Sequence, residues 1–459
     1  MSALPIGKAA AAAQARSARL LQGPVLPTLL LLAAPNLVVM VAQAAANFLE
    51  SYFVGLLGVN ALAGAALVFP LIMLMQTMSA GGMGGGISSA IARAIGAGDQ
   101  ARAEALALHA LLIALGFGLL CMLGGLLGGP MLYRAMSDDA SVQQAALAYS
   151  NAIFCGAVFL WLANGMASVL RGSGNMALPA LVLSGGVLLL LVASPLLIFG
   201  WGPFPALGIT GAGLALVLYY VVAAAVMLFA VLRGSGGLRL RFGHPLRWAL
   251  FRDILGVGGP AIVNNVTLNL SVLTATALVS PLGSPALAGF GLGIRLEYLQ
   301  IPIVFGVGAA MVAMVGMNTG AGQLVRARRV AWTGALLAAG ATALVGLAAA
   351  LFPAAWLGLF TQDAEAIRVG TRYLQVVGPA YGLFGLGLSL YFASQGARRM
   401  GWSIVAGAAR LLVVYGAGSL ALRLGAGLDQ LLIVMVLGLV VYAVLNAWPW
   451  WARRPDQRR

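Results

Sequence analysis

Lysine is almost missing from this chain of 459 residues, with Lys8 the only one. No P-loop lysine is therefore present to hold nucleotide phosphates, and ATP hydrolysis within the chain is disfavoured as an energy source. Histidine is equally scarce: His109 and His244 form no metal-ligand pair at helical spacing, which disfavours a zinc enzyme. The two cysteines, Cys121 and Cys155, both fall inside long apolar runs, so a structural disulfide has little support. Charged residues make up only 8% of the chain, too few to cover a water-soluble surface.

What is abundant is apolar: 61% of residues are hydrophobic and the mean hydropathy is +0.99. Apolar stretches of about 20 residues, the length that crosses a hydrocarbon core of about 30 Å, recur about twelve times. They lie near 26–52, 60–92, 104–125, 142–168, 178–200, 208–232, 254–280, 285–316, 329–352, 366–393, 402–422 and 428–447. The expected fold class is an all-α integral membrane protein with twelve transmembrane helices in two pseudo-symmetric, parallel six-helix lobes. Its expected parts are a tail over 1–25, an N-terminal lobe over 26–232, a basic linker over 233–253, a C-terminal lobe over 254–447 and a basic tail over 448–459. The apolar run after the first 25 residues continues into a full span, so no removable signal peptide is expected.

The net charge of +15 follows topology. Twenty of the 26 basic residues fall on one side of this frame, including Arg93, Arg102, Arg171, the cluster Arg233 to Arg252, Arg326, Arg328, Arg398 and Arg399. The positive-inside rule then places both termini in the cytoplasm of a bacterial-type inner membrane. With the charge so explained, and no aromatic-basic surface segment beside it, no nucleic-acid partner is expected.

Shifted by 224 or 225 residues, the chain matches itself. Ala61-Leu62-Ala63-Gly64 falls on Ala286-Leu287-Ala288-Gly289, Gly96-Ala97-Gly98 on Gly320-Ala321-Gly322, and Tyr149 on Tyr373. Six helices per copy return the chain to its starting side, so the copies insert in the same sense, related by an axis along the membrane normal. That arrangement leaves a cleft between two bundles. One membrane-embedded acid breaks the match: Glu50 falls on Ala275.

Along the first span, Asn36, Gln43, Asn47 and Glu50 lie within about 60° of one another at 100° per residue. This stripe is expected to line the interior of the N-terminal lobe, with Glu50 as a protonatable group; the plainer alternative is an acid solvated near the outer interface. The seventh span is polar but neutral, with Asn264 and Asn265 among its side chains. Three further charges lie within spans of the second lobe: Arg295, Glu297 and Arg410. Glu297 and Arg410 are expected to meet near mid-membrane, either as a static pair or in a coupling role. Close helix packing, a bend or a hinge would each account for the run Gly81 to Gly86. Tyr149, Trp161, Tyr298, Tyr373, Tyr381 and Tyr391 either pack or meet an amphipathic substrate.

Several segments carry a family likeness: Glu50-Ser51-Tyr52-Phe53-Val54-Gly55, Arg171-Gly172-Ser173-Gly174-Asn175 with Pro179, Gly202-Pro203-Phe204-Pro205 followed by Gly208-Ile209-Thr210-Gly211-Ala212-Gly213, and Gly320-Ala321-Gly322. In their order and spacing the chain resembles the multidrug and toxic compound extrusion (MATE) family, in particular the branch coupled through its N-terminal lobe and similar to the DNA-damage-inducible protein F. The resemblance implies alternating access and export of small amphipathic molecules in exchange for protons or sodium ions. It places Glu50 where the family has a first-helix aspartate, and Gln43 in the same cavity. Ser194 stands where that branch often has a second aspartate, and Leu216 where it has a threonine. These departures disfavour a multi-oxygen sodium site and favour protons.

The expectation is thus a secondary antiporter, not an enzyme. Glu50, Gln43 and Asn47 would couple the cation, and Asn36, Ser194 and Asn264 would line the lobe interiors. No cofactor or bound metal is expected beyond the coupling ion, the partners being a small amphipathic molecule and membrane lipid, with the protein acting as a monomer. The alternative is a flippase for lipid-linked cell-envelope precursors.

Overall fold

The computed structural model describes residues 6–200 and 205–451, with side chains from Ala11 onward. Among these residues every regular element is helical. The first six spans are α2 (Val25–Gly55); α3 (Val59–Gln76) continued through a π-helical turn (Thr77–Met83) into α4 (Gly84–Gly96); α5 (Gln100–Met136); α6 (Ala140–Cys155) with α7 (Ala157–Gly172); α8 (Ala177–Phe199); and α9 (Ile209–Leu232). A short helix, α1 (Ile6–Gln22), precedes them. The second six are α10 (Trp248–Val279), α11 (Ser284–Gly320), α12 (Leu324–Leu351) with the short α13 (Pro353–Leu357), α14 (Ala364–Val377) with α15 (Tyr381–Gly396), α16 (Gly401–Arg423) and α17 (Leu428–Trp451). Eleven spans are long and apolar enough to cross a membrane, and the pair α6 and α7, bent by 46°, makes the twelfth.

Apolar length sets these helices, and short polar side chains start several of them. Asp139 caps α6 by accepting from the Ser141 amide at 2.8 Å, and its repeat counterpart Asp363 caps α14 from the Ala366 amide at 2.7 Å. The chain divides differently from the sequence expectation at two places. The segment over 1–25 contains the helix α1 rather than being wholly a tail, and α10 begins at Trp248, inside the expected linker. The residues 1–5, 201–204 and 452–459, which include Gly202-Pro203-Phe204 and Arg453, Arg454, Arg458 and Arg459, lie outside the described residues.

The duplication is visible contact by contact. Gly64 lies against Ala145 and Ala146 in the first lobe, as Gly289 lies against Ala366 and Gly370 in the second. Between the lobes the pairing is reciprocal: Gly96 abuts the Met317 backbone while Gly320 abuts Arg93, and Gly82 meets Ile262 while Gly306 meets Leu37. Each residue in one half of such a pair is the repeat partner of a residue in the other half, as a two-fold axis between the lobes requires. The run Gly81 to Gly86 serves this seam, because Gly82 and Gly86 admit α10 and Gly85 admits Gln395.

All of these contacts between lobes run from mid-span to the face that carries the described ends of the chain and the linker, here called the basic face. The hydrogen bonds between lobes follow the same rule, from Asn265 to the Thr77 carbonyl and Gln395 to the Gly81 carbonyl down to Ser89 on the Gly396 carbonyl at 3.1 Å. The lobes are therefore joined at the basic face and along the lower half of their length.

Candidate functional site

Three acids are buried among the described residues: Glu50, Asp253 and Glu297. A carboxylate withdrawn from water needs a cation, hydrogen-bond donors or a proton. Two of the three have arginines, and they explain what the third lacks.

Asp253, at the start of α10, is 2% exposed and sits on the seam at the basic face. Arg93 and Arg102 reach it from the first lobe at 2.8 and 2.9 Å, and Arg398 reaches it from within the second lobe at 3.2 Å. Arg398 adopts a left-handed backbone (φ 57°), whereas its repeat counterpart Gly174 holds the same region with φ 79°. A side chain there costs about 1 kcal/mol, which the pairing with Asp253 offsets. Nearby, α1 crosses the seam. Leu20 is buried against Gly174 of the first lobe, while Asn318 and Arg326 of the second lobe donate to the Leu20 carbonyl at 3.2 and 3.4 Å, and Arg326 also to that of Gly23. A cation at the carbonyl end of a helix is favoured by the helix dipole.

Glu297, on α11, receives Arg410 of α16 at 3.1 Å, the two expected partners, and the Tyr373 hydroxyl donates to its other oxygen at 3.4 Å. Phe384 and Tyr442 flank the guanidinium. Arg295, the third charge within these spans, is exposed on α11, with its guanidinium over the Phe360 ring at 5.6 Å.

Glu50, on α2, has no basic partner among the described residues. Its carboxylate instead accepts a 2.6 Å hydrogen bond from the Tyr149 hydroxyl of α6. The alternative of a freely solvated acid does not hold, since the side chain is only 9% exposed. Around it Tyr220 packs edge-on against Tyr219 and accepts from Gln76 at 3.2 Å, while Gln43, half-buried, lies against the Tyr219 hydroxyl. Ser194 is buried in α8 with its hydroxyl unbonded, and Leu216 is buried in α9.

Of the other residues picked out in sequence, Asn36 is buried and turned back on the Leu32 carbonyl at 3.1 Å. Asn264 is fully buried beside Tyr391 and Tyr442. Asn47 departs from the expected stripe: it is exposed, at the edge of the 60° sector opposite to Glu50. Trp161, Tyr149, Tyr373, Tyr381 and Tyr391 are core side chains, with Trp161 stacked on Phe117 at 5.1 Å; only Tyr298 among the six is exposed. Sequence reading did not find the Glu50–Tyr149 bond or the Asp253 cluster. The match of Tyr149 with Tyr373 in the repeat was the available signal for the first.

A family model described as MatE matches residues 35–196 and 260–416, one block in each lobe. A Shewanella oneidensis protein named as an FAD transporter is 26% identical over 400 residues, covering 86% of this chain and 87% of that one. A Thermotoga maritima protein named as the probable multidrug resistance protein NorM is 26% identical, covering 81% and 79%. Among solved structures, a transporter of the MOP superfamily from Pyrococcus furiosus superposes with a TM-score of 0.83 at 25% identity, over 95% of this chain and 97% of that one. An outward-facing multidrug resistance MATE family transporter superposes with a TM-score of 0.82 at 25% identity and the same coverage. With both matched blocks lying in the two halves of a duplicated, twelve-span frame, the chain belongs to the MatE family of multi-pass membrane transporters.

Proposed function

We propose that the protein is a secondary efflux antiporter. It exports small amphipathic molecules across a bacterial-type inner membrane in exchange for protons, with its basic face in the cytoplasm. One observation carries this reading: of the three acids buried among the described residues, Glu50 alone has no arginine partner there. A proton can neutralise it where a fixed cation neutralises the others. The joined basic face then corresponds to an outward-facing state. Protonation of Glu50 from outside removes a charge from the interior of the first lobe, and its release inside restores that charge. The difference in stability between these two states of charge is what biases the lobes toward one arrangement or the other.

Protons are favoured over sodium because the direct donors found at Glu50 are a carboxylate and one phenol hydroxyl. A hard cation is better served by several oxygens. The names of the relatives support a small organic cargo, and a flavin dinucleotide belongs in any test panel because the Shewanella relative is named for it.

Reconstituted vesicles with pH and sodium gradients imposed separately test the proposal. Wild type is expected to drive uphill export on the pH gradient alone. Glu50→Gln is expected to lose it while retaining downhill exchange. Full gradient-driven export by Glu50→Gln would refute the assignment, and lipid-linked precursor translocation without cargo export would support the flippase alternative.

A further inference from the structure

Ala275 is the repeat counterpart of Glu50 and Tyr373 that of Tyr149, and in the second lobe these two line one small cavity with Ser271, Glu297 and Arg410. Its volume, about 20 Å³, is room for roughly one water-sized occupant. The arrangement of the first lobe is therefore repeated with one substitution of parts. A tyrosine hydroxyl again donates to a buried carboxylate, at 3.4 Å to Glu297 against 2.6 Å to Glu50. The carboxylate comes from α11 instead of α10, and Arg410 stands 3.1 Å from it. At the repeat positions of Arg410 the first lobe has Gly185 and Gly186, so no arginine reaches Glu50 from that place in the fold.

We infer that the second lobe holds a cation site of its own, in which the guanidinium of Arg410 takes the place that a coupling cation takes beside Glu50. Arg410 is a positioning residue in this scheme: it keeps the Glu297 site filled from within the chain, so the second lobe takes no ion from solution and one lobe alone couples. The ionisable groups around Glu297 are Arg410, Tyr298, Tyr373, Tyr381 and Tyr442, while α10 contributes Ser271, Val272 and Ala275 to the cavity, none of them ionisable. Without the guanidinium, the lone carboxylate would require a cation from the aqueous phase, and a proton is the smallest that fits.

This inference rests on the proposed proton antiport through Glu50, and the experiment separates the two. Purified Arg410→Met and the double variant Glu297→Gln with Arg410→Met are reconstituted beside wild type. For each, the pH gradient that just balances a fixed gradient of a transported cargo is measured with the membrane potential clamped. The balancing gradient is expected to fall about twofold in Arg410→Met, as one exchanged proton becomes two, and to stay at the wild-type value in the double variant. An unchanged balance in Arg410→Met, with wild type coupled, overturns the inference alone; a wild type indifferent to the pH gradient overturns the proposed function instead. Thermal unfolding at pH 5.5 and 8 guards against misfolding: Arg410→Met is expected to be stabilised by acid relative to the double variant. A variant that cannot be recovered folded at either pH also overturns the inference, because a cation site must accept a proton in place of the guanidinium.

Discussion

Asp253→Asn is expected to release the seam at the basic face, and the structure sets the size of the effect. The bond between Arg93 and Asp253 is 2.8 Å long with side chains 14% and 3% exposed, so it contributes about 1.5–3 kcal/mol as a charge-assisted bond. Arg102 is 47% exposed, and its bond contributes no more than about 1 kcal/mol after solvent screening. Arg398 lies in the same lobe as Asp253 and does not distinguish a joined seam from a parted one. Losing both bonds between lobes therefore disfavours the joined state by about 1.5–4 kcal/mol, or about 10- to 1,000-fold in population. Spin labels on cysteines placed at the exposed positions Val59 and Ser284, with Cys121 and Cys155 replaced, report the separation of the lobes at the opposite face. Asp253→Asn should move the distance distribution toward shorter values. Arg93→Gln should do the same, and the two together should do less than their sum. An unchanged distribution, or strict additivity, would refute the reasoning.

Gly96→Val places a side chain against the Met317 backbone, and the reciprocal Gly320→Val places one against Arg93; both should deplete the seam-joined state in the same distance measurement and slow export in vesicles. Tyr149→Phe removes the donor to Glu50 and should impair coupled export, yet in combination with Glu50→Gln it should be no worse than Glu50→Gln alone. At the opposite face Arg372 forks onto Asp429 at 2.7 and 3.0 Å. That ion pair exists only while the carboxyl is ionised, so its stabilisation is present at neutral pH and lost in strong acid. Arg372→Gln should therefore lower the melting temperature at pH 7 and leave it unaltered at pH 2; equal loss at both would exclude the ion pair as the cause.

Most of the frame was legible in the sequence because the length of an apolar run and the sign of the flanking charges are local properties. The site was legible only in part. Glu50 stood out because an acid in an apolar span is costly. Asn47 was misplaced because angular arithmetic gives a sector and not its edge. Asp253 passed unnoticed at the end of the basic linker, since its partners Arg93 and Arg102 are more than 150 residues away in the chain. The helix α1 read as a tail although its alanines favour a helix, because its anchors, Asn318 and Arg326, are about 300 residues distant.

The seam between the lobes has the form of a homodimer interface closed within one polypeptide. Gly96 on Met317 and Gly320 on Arg93 are one contact made twice, on either side of a shared axis. A motion that kept this axis would load both contacts together, as in a zip with two matching teeth.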